Sequence, residues 1–306
     1  MKKILSMLAA LAIAVLASGC TPAAQHSSTA APSAQAAREA AIVSYLGPEG
    51  TYTQEACAQF FEGRGTFLPF GTVDEALEAL VRGESNYAVI PQENTIGGAV
   101  TGYVDALIAQ DGISVAGEVE LPIRQNLLAL PGTPLSAIRK VYSHRQGIIQ
   151  GREWLKEHLP SAEVAEVSST AAGAKKVAGG KDPSCAAIAS AACAAVYGLD
   201  VLAGNIQKND SNRTRFYILS RNAPAASPAE RAAFIATGKA GDLPALMAEM
   251  ERLGMTLVAI HDRPRKTVLG EYRYLIECSG SGYAGYRKLE EKSRLSLRYL
   301  GSFNVR

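Results

Sequence analysis

Charge of one sign is what this 306-residue chain most lacks: 31 Lys and Arg stand against 29 Asp and Glu, a formal net charge of +2. A balance that close supplies no basic stripe for a phosphate backbone and no polybasic patch for an anionic membrane surface, so nucleic acid is not an expected partner. Cysteine is scarce too, with 5 in the chain, and no spacing among Cys57, Cys185, Cys193 and Cys278 resembles a metal site. If the stretch from Cys185 to Cys193 is all helical, its ends lie roughly 12 Å apart. A disulfide spans about 7 Å at most, so buried free thiols are expected. No glycine fingerprint follows a strand signal and no P-loop occurs, so the expected cofactor set is empty: no nicotinamide, no phosphate cofactor and no metal.

What is present begins with Lys2-Lys3 and a short apolar run from Ile4 to Leu16. That run is too short for a mature spanning helix and reads as a signal peptide over residues 1–19. The stretch Leu16-Ala17-Ser18-Gly19-Cys20 resembles a bacterial lipobox. The resemblance implies cleavage before Cys20, acylation of Cys20, and a periplasmic protein attached to the membrane by lipid; Thr21 after it implies outer-membrane sorting. Residues 20–41, rich in Ala, Ser, Pro, Gln and Thr, bury too little to offset their ordering entropy and are expected to be a flexible tether. Loss of Lys2 and Lys3 would leave the two signs of charge equal.

Strand and helix signals alternate beyond the tether, which predicts an α/β fold. Ile42-Val43-Ser44-Tyr45-Leu46 is a strand ending at Gly47-Pro48, and Thr51 with Gln54 forms a capping box opening a helix through Phe61. Thr72 and Glu75 repeat that device, Gly83 stops the helix, and Tyr87 to Ile90 is the next strand. From about residue 121, strands at 126–130 and 138–142 lead to a helix capped by Ser143 and Gln146, another starting at Ser169 or Thr170, and a small-residue helix from Ala186 to Tyr197. After a polar linker over residues 221–228 the order is strand, helix, strand, strand, helix, strand, a ferredoxin-like βαββαβ unit over residues 230–306.

The richest local chemistry is Asn209-Asp210-Ser211-Asn212-Arg213-Thr214-Arg215-Phe216, where guanidinium groups suited to carboxylates flank a hydroxyl ahead of an apolar strand. Asn-Asp-Ser-Asn is also plain turn chemistry. Upstream, in order, stand Tyr45-Leu46-Gly47-Pro48-Glu49-Gly50-Thr51-Tyr52-Thr53-Gln54, then Pro91-Gln92-Glu93-Asn94-Thr95-Ile96-Gly97-Gly98, Val141-Tyr142-Ser143-His144-Arg145-Gln146 and Ser169-Thr170-Ala171-Ala172. Together these motifs resemble the prephenate dehydratase family over about Tyr45 to Leu219.

The resemblance implies a two-lobed catalytic domain like periplasmic binding proteins over residues 42–222, with lobe 1 at about 42–120 and 204–222 and lobe 2 at about 121–203. It implies a lyase that converts prephenate to phenylpyruvate in phenylalanine biosynthesis. Thr214 would be the catalytic hydroxyl and Arg215 would hold a substrate carboxylate. Phe216, Glu93, Asn94, Thr95, Gly97, Gly98, Ser143, Ser169, Thr170 and Thr51 would complete the substrate site. The helix start at Ser169-Thr170 is also an anion site on general grounds. The C-terminal unit resembles an ACT domain, which implies a homodimer or homotetramer and phenylalanine as effector. Its contact regions are expected at Gly241 and Leu243 and at Asp262, Arg263 and Pro264, although His261-Asp262-Arg263-Pro264 and Gly241-Asp242-Leu243-Pro244 depart from the usual motifs. Arogenate is an alternative substrate, and an exported solute-binding lipoprotein for an aromatic acid or amino acid is the alternative class.

Overall fold

The computed structural model describes residues 41–221 and 228–306. The expected leader, Cys20, the tether and most of the linker therefore lie outside the described residues.

Lobe 1 opens with β1 (Ile42–Leu46), α1 (Tyr52–Phe60), β2 (Thr66–Phe70), α2 (Val73–Arg82), β3 (Tyr87–Asn94), β4 (Gly98–Ala99), α3 (Thr101–Ala109) and β5 (Ser114–Pro122). The capping box at Thr72 and Glu75 is complete in both directions, and Gly83 ends α2 in the left-handed conformation. Five strands follow in lobe 2: β6 (Asn126–Ala129), β7 (Lys140–Ser143), β8 (Glu163–Glu166), β9 (Cys185–Ala189) and β10 (Asp200–Ala203). Its helices are α4 (Arg145–His158), α5 (Thr170–Gly180) and α6 (Ala191–Tyr197). The chain then returns to lobe 1 as β11 (Arg213–Ser220).

The lobe 1 sheet runs β2-β1-β3-β11-β5, with β4 beside β3; that of lobe 2 runs β10-β6-β9-β7-β8. β11 is antiparallel to both neighbours, so it is a central strand despite being last in sequence. Its apolar run Phe216 to Leu219 is fully buried, as a strand covered on both faces requires.

One sequence expectation fails here. Cys185 to Ala189 is the middle strand of lobe 2, not the start of a helix, and α6 begins only after Ser190 caps it. Small apolar residues carry no periodicity that separates a doubly buried strand from a buried helix. The helical distance argument for Cys185 and Cys193 lapses with it, while Cys57, Cys185, Cys193 and Cys278 are all free and buried.

The C-terminal unit consists of β12 (Arg231–Lys239), α7 (Leu243–Arg252), β13 (Met255–Pro264), β14 (Glu271–Gly280), α8 (Gly282–Lys292) and β15 (Ser296–Phe303). Its antiparallel order β13-β14-β12-β15 is that of a ferredoxin-like βαββαβ fold. The face of this sheet away from α7 and α8 supplies Ala233, Ile235, Leu275, Leu300 and Phe303 to a core shared with Leu77, Leu80, Val104, Leu107, Tyr217 and Leu219 of lobe 1. Backbone pairing extends the joint: Glu118 N donates to Asn304 O at 3.2 Å, and Arg306 N donates to Glu118 O at 2.9 Å. Gly301 makes this approach possible, because a Cβ there would stand 2.4 Å from the Val115 carbonyl oxygen and its φ is +146°. Gly301→Ala is expected to destabilise the protein by about 1–3 kcal/mol. Urea unfolding of the two proteins tests this, and an unchanged midpoint would refute the close contact.

Candidate active site

Three helices begin at the cleft between the lobes. Thr51, His144 and Ser169 cap α1, α4 and α5, their side chains accepting from Gln54 N at 3.4 Å, Gln146 N at 3.3 Å and Ala172 N at 2.9 Å. The first residues of all three helices line a cavity of about 270 Å³, near the lower end of small-molecule sites at roughly 300–1,000 Å³. Free N–H groups and aligned peptide dipoles give each helix start a positive character. Among the described residues lining the cavity there is no Lys, Arg, Asp or Glu. Attraction for an anion therefore comes from helix ends and neutral donors.

Lobe 1 contributes the centre of the site. Thr214 on β11 lies opposite Asn94 on β3 in the antiparallel register, and Asn94 Nδ2 donates to Thr214 Oγ1 at 2.9 Å. Asn94 is itself fixed, its Oδ1 accepting from Ile96 N at 3.0 Å, Gly97 N at 2.9 Å and Gln146 Nε2 at 3.2 Å. That last bond crosses from lobe 2, so Asn94 ties the two lobes together at the cavity. Gln125 and Gln150 form the buried polar floor, with Gln125 Nε2 donating to Gln150 Oε1 at 3.0 Å. Burial raises the Tyr52 phenol well above its usual pKa, and the neutral hydroxyl donates to Arg124 O at 2.6 Å.

Thr51, Asn94, Ser169, Thr170, Thr214 and Phe216 thus meet in one cavity. The remaining expected contacts are elsewhere. Arg215 points to the opposite face of β11, because successive strand residues alternate sides. Its guanidinium donates to Glu118 through Nε at 2.8 Å and Nη2 at 2.7 Å, to Glu93 at 3.2 Å and to both Glu277 oxygens at 2.5 Å. The expectation that Arg215 holds a substrate carboxylate is corrected accordingly, and so is that for Glu93, which is its partner on that face. Arg231 Nε stands 3.3 Å from Glu277 in ion-pair range without hydrogen-bond alignment, and Tyr217 donates its hydroxyl to Glu277 at 2.7 Å. Burial works against the Arg215 charge, but its bonds to Glu118 and the charge of Glu277 outweigh this and raise its pKa. Burial raises the Glu118 pKa, despite the hydrogen bonds from Arg215, and Glu277 adds to the rise.

Ser143 is a second correction: it neither caps α4 nor lines the cavity, since its hydroxyl is buried and donates to Ile188 O at 2.7 Å. Thr95 Oγ1 donates to Ser211 O at 3.1 Å and accepts from Arg213 N at 2.9 Å, which spends the hydroxyl on joining the loop to β11. Gly97 in the β3–β4 turn and Gly98 at the start of β4 are outside the lining; Gly97 serves the site through its N–H on Asn94. Sequence reading passed over Asn212, Gln125, Gln150 and Tyr103, all of which line the cavity. Asn212 stood within the quoted motif but matched turn chemistry, while the glutamines had no local signal because only the packing of lobes brings them together.

In the C-terminal unit Leu243 and Asp262 line a cavity of about 350 Å³ with Ala240, Ile260, Tyr272 and Tyr274. Gly241 and Pro264 are not among its lining residues. Arg263 is turned to lobe 1, where its Nε and Nη2 donate to the two Asp105 oxygens at 2.6 Å each. These bonds hold the Asp105 carboxyl below its usual pKa. His261 Nε2 lies 3.1 Å from Gln92 Nε2, and burial lowers the imidazole pKa.

A two-lobed α/β frame encloses a cavity of helix ends, amides and the buried threonines Thr51, Thr53 and Thr214, an arrangement that suits a small anionic molecule. The sequence pattern described as prephenate dehydratase matches residues 43–224, more than half of the chain, and the chain belongs to that family. It is 35% identical over 240 residues to a bifunctional chorismate mutase/prephenate dehydratase of Neisseria gonorrhoeae, covering 78% of this chain and 66% of that one. This chain therefore spans just under two thirds of that relative. A prephenate dehydratase of Amycolatopsis methanolica is 33% identical, with 85% of this chain and 88% of that one covered. Among solved structures, a prephenate dehydratase of Arthrobacter aurescens in complex with L-Phe is similar at a TM-score of 0.77 and 32% identity, covering 86% of this chain and 89% of that one. GqqA, described as a novel type of quorum quenching acylase, is similar at a TM-score of 0.77 and 25% identity, covering 87% of this chain and 98% of that one.

Proposed function

We propose that this protein is a prephenate dehydratase acting through the Asn94–Thr214 pair. The observation that supports it most is the buried Thr214 hydroxyl, which accepts from Asn94 and makes no further hydrogen bond among the described residues, in a cavity suited to carboxylates. In the reaction the bond from ring to carboxylate breaks, carbon dioxide leaves, and the bonding pair enters the ring. The carbon–oxygen bond across the ring then breaks with its pair on oxygen, which takes up one proton and leaves as water. Aromatisation drives both, so the protein's part is to hold two carboxylates and assist the departing oxygen. The starts of α4 and α5 would hold one carboxylate and that of α1 the other, while Thr214 donates to the leaving oxygen.

Phenylpyruvate formation by the purified full chain with prephenate is the test, with arogenate run in parallel. Turnover of prephenate is expected. Binding of an aromatic acid without turnover would replace the enzyme by a solute receptor. The cavity at Leu243 and Asp262 is proposed as the place of an amino-acid effector, checked by adding L-Phe to the same assay. Lipid attachment at Cys20 in the periplasm belongs to the same proposal, and Cys20→Ser is expected to release the protein from membranes with its turnover intact.

A further inference from the structure

Asn212 has no role in that mechanism. It is only 1% exposed and lines the cavity, yet among the described residues its Nδ2 has no hydrogen-bond partner. Leaving a buried donor unpaired costs about 1–3 kcal/mol, so such a group in a binding cavity points to a partner that arrives with the ligand. Its neighbours fix which way the amide faces. Asn94 Oδ1 takes backbone N–H groups from Ile96 and Gly97, so the Asn94 nitrogen must face the other way. That nitrogen is shared among three acceptors, Asn212 Oδ1 at 2.7 Å, Thr214 Oγ1 at 2.9 Å and Arg213 O at 3.1 Å. Asn212 therefore gives its oxygen to Asn94 and keeps both amide hydrogens free. Thr214 accepts from the same nitrogen and keeps its hydroxyl hydrogen free. Positions 212 and 214 are two apart at the entry to β11, which puts both on the cavity side.

We infer that Asn212 Nδ2 is a second hydrogen-bond donor to the substrate oxygen that Thr214 addresses, with Asn94 as the fixed hub that presents both. The inference rests on the dehydratase reading. Negative charge grows on that oxygen as its bond to the ring breaks, and a preorganised second donor stabilises it without giving up a proton. The carboxylates remain with the helix ends, so Asn212 acts on the chemical step more than on binding.

The test compares Asn212→Ala and Asn212→Ser in the full chain, by prephenate turnover and thermal unfolding. Asn212→Ala is expected to lower kcat about 10²–10³-fold, as loss of one such donor does elsewhere, with KM nearly unchanged. Asn212→Ser retains a short donor and is expected to recover about tenfold of that loss. A kcat for Asn212→Ala within about threefold of wild type overturns the inference. Equal losses in both variants, matched by equal falls in Tm, overturn it as well, since they mark a packing role. Wild-type protein without turnover removes the dehydratase reading and this inference together, whereas an active wild type with an unaffected Asn212→Ala removes only the inference.

Discussion

Thr214→Ala is expected to lower kcat by about 10²–10³-fold while KM changes little, because a positioned donor to a leaving group acts in the transition state. Thr214 is 8% exposed and sits on a central strand, where β11 is bonded on both sides. The change removes the hydroxyl and one γ-methyl, a packing loss of about 1 kcal/mol, so Tm should move far less than turnover. Thr214→Ser restores the donor on a less restricted side chain and should recover most of the rate. Steady-state kinetics of the three proteins with circular dichroism decide the matter. A Thr214→Ala enzyme with full kcat would take the hydroxyl out of the mechanism.

The second large effect is on stability. Arg215→Ala removes the guanidinium that neutralises Glu118 and Glu277, whose side chains are each 1% exposed. Breaking a buried ion group by deleting one partner costs about 3–5 kcal/mol, a large share of a typical 5–15 kcal/mol total. A fall in Tm on the order of 10 °C is the expected result. Arg215→Lys should rescue it only partly, since an ammonium cannot make the forked bonds to Glu118. The C-terminal unit supplies Glu277, so the same variant should loosen its hold on lobe 1, readable as faster proteolysis or hydrogen exchange in β14. An unchanged Tm with a selectively raised KM would return Arg215 to the substrate site.

The two neighbours Thr214 and Arg215 show how far the sequence could be read. That this stretch carries a hydroxyl and guanidinium groups on a strand was legible, because local composition and the ordered motifs are local facts. Strand alternation places the two on opposite faces, but alternation alone does not say which face is the cavity. That was settled by the C-terminal unit, whose Glu277 covers the Arg215 side and leaves Thr214 and Phe216 to the cleft. Gln125 and Gln150 are 25 residues apart and become one hydrogen-bonded floor only when lobe 2 folds.

The sequence by itself determined the α/β class, the helix starts at Thr51, Thr72 and Ser169, the βαββαβ unit and the family, since caps, turn residues and motif order depend on near neighbours. It misread Ala186 to Ala189, where small apolar residues fit strand and helix alike and burial on both faces made the choice. Only the tertiary structure decided which polar groups were spent on the fold and which were left for a ligand. Arg215, Glu93, Ser143 and Thr95 find protein partners, and Asn212 Nδ2 finds none among the described residues. The physical reason is that a hydrogen bond or an ion pair is a property of two groups, and the second group here comes from another lobe or from the C-terminal sheet.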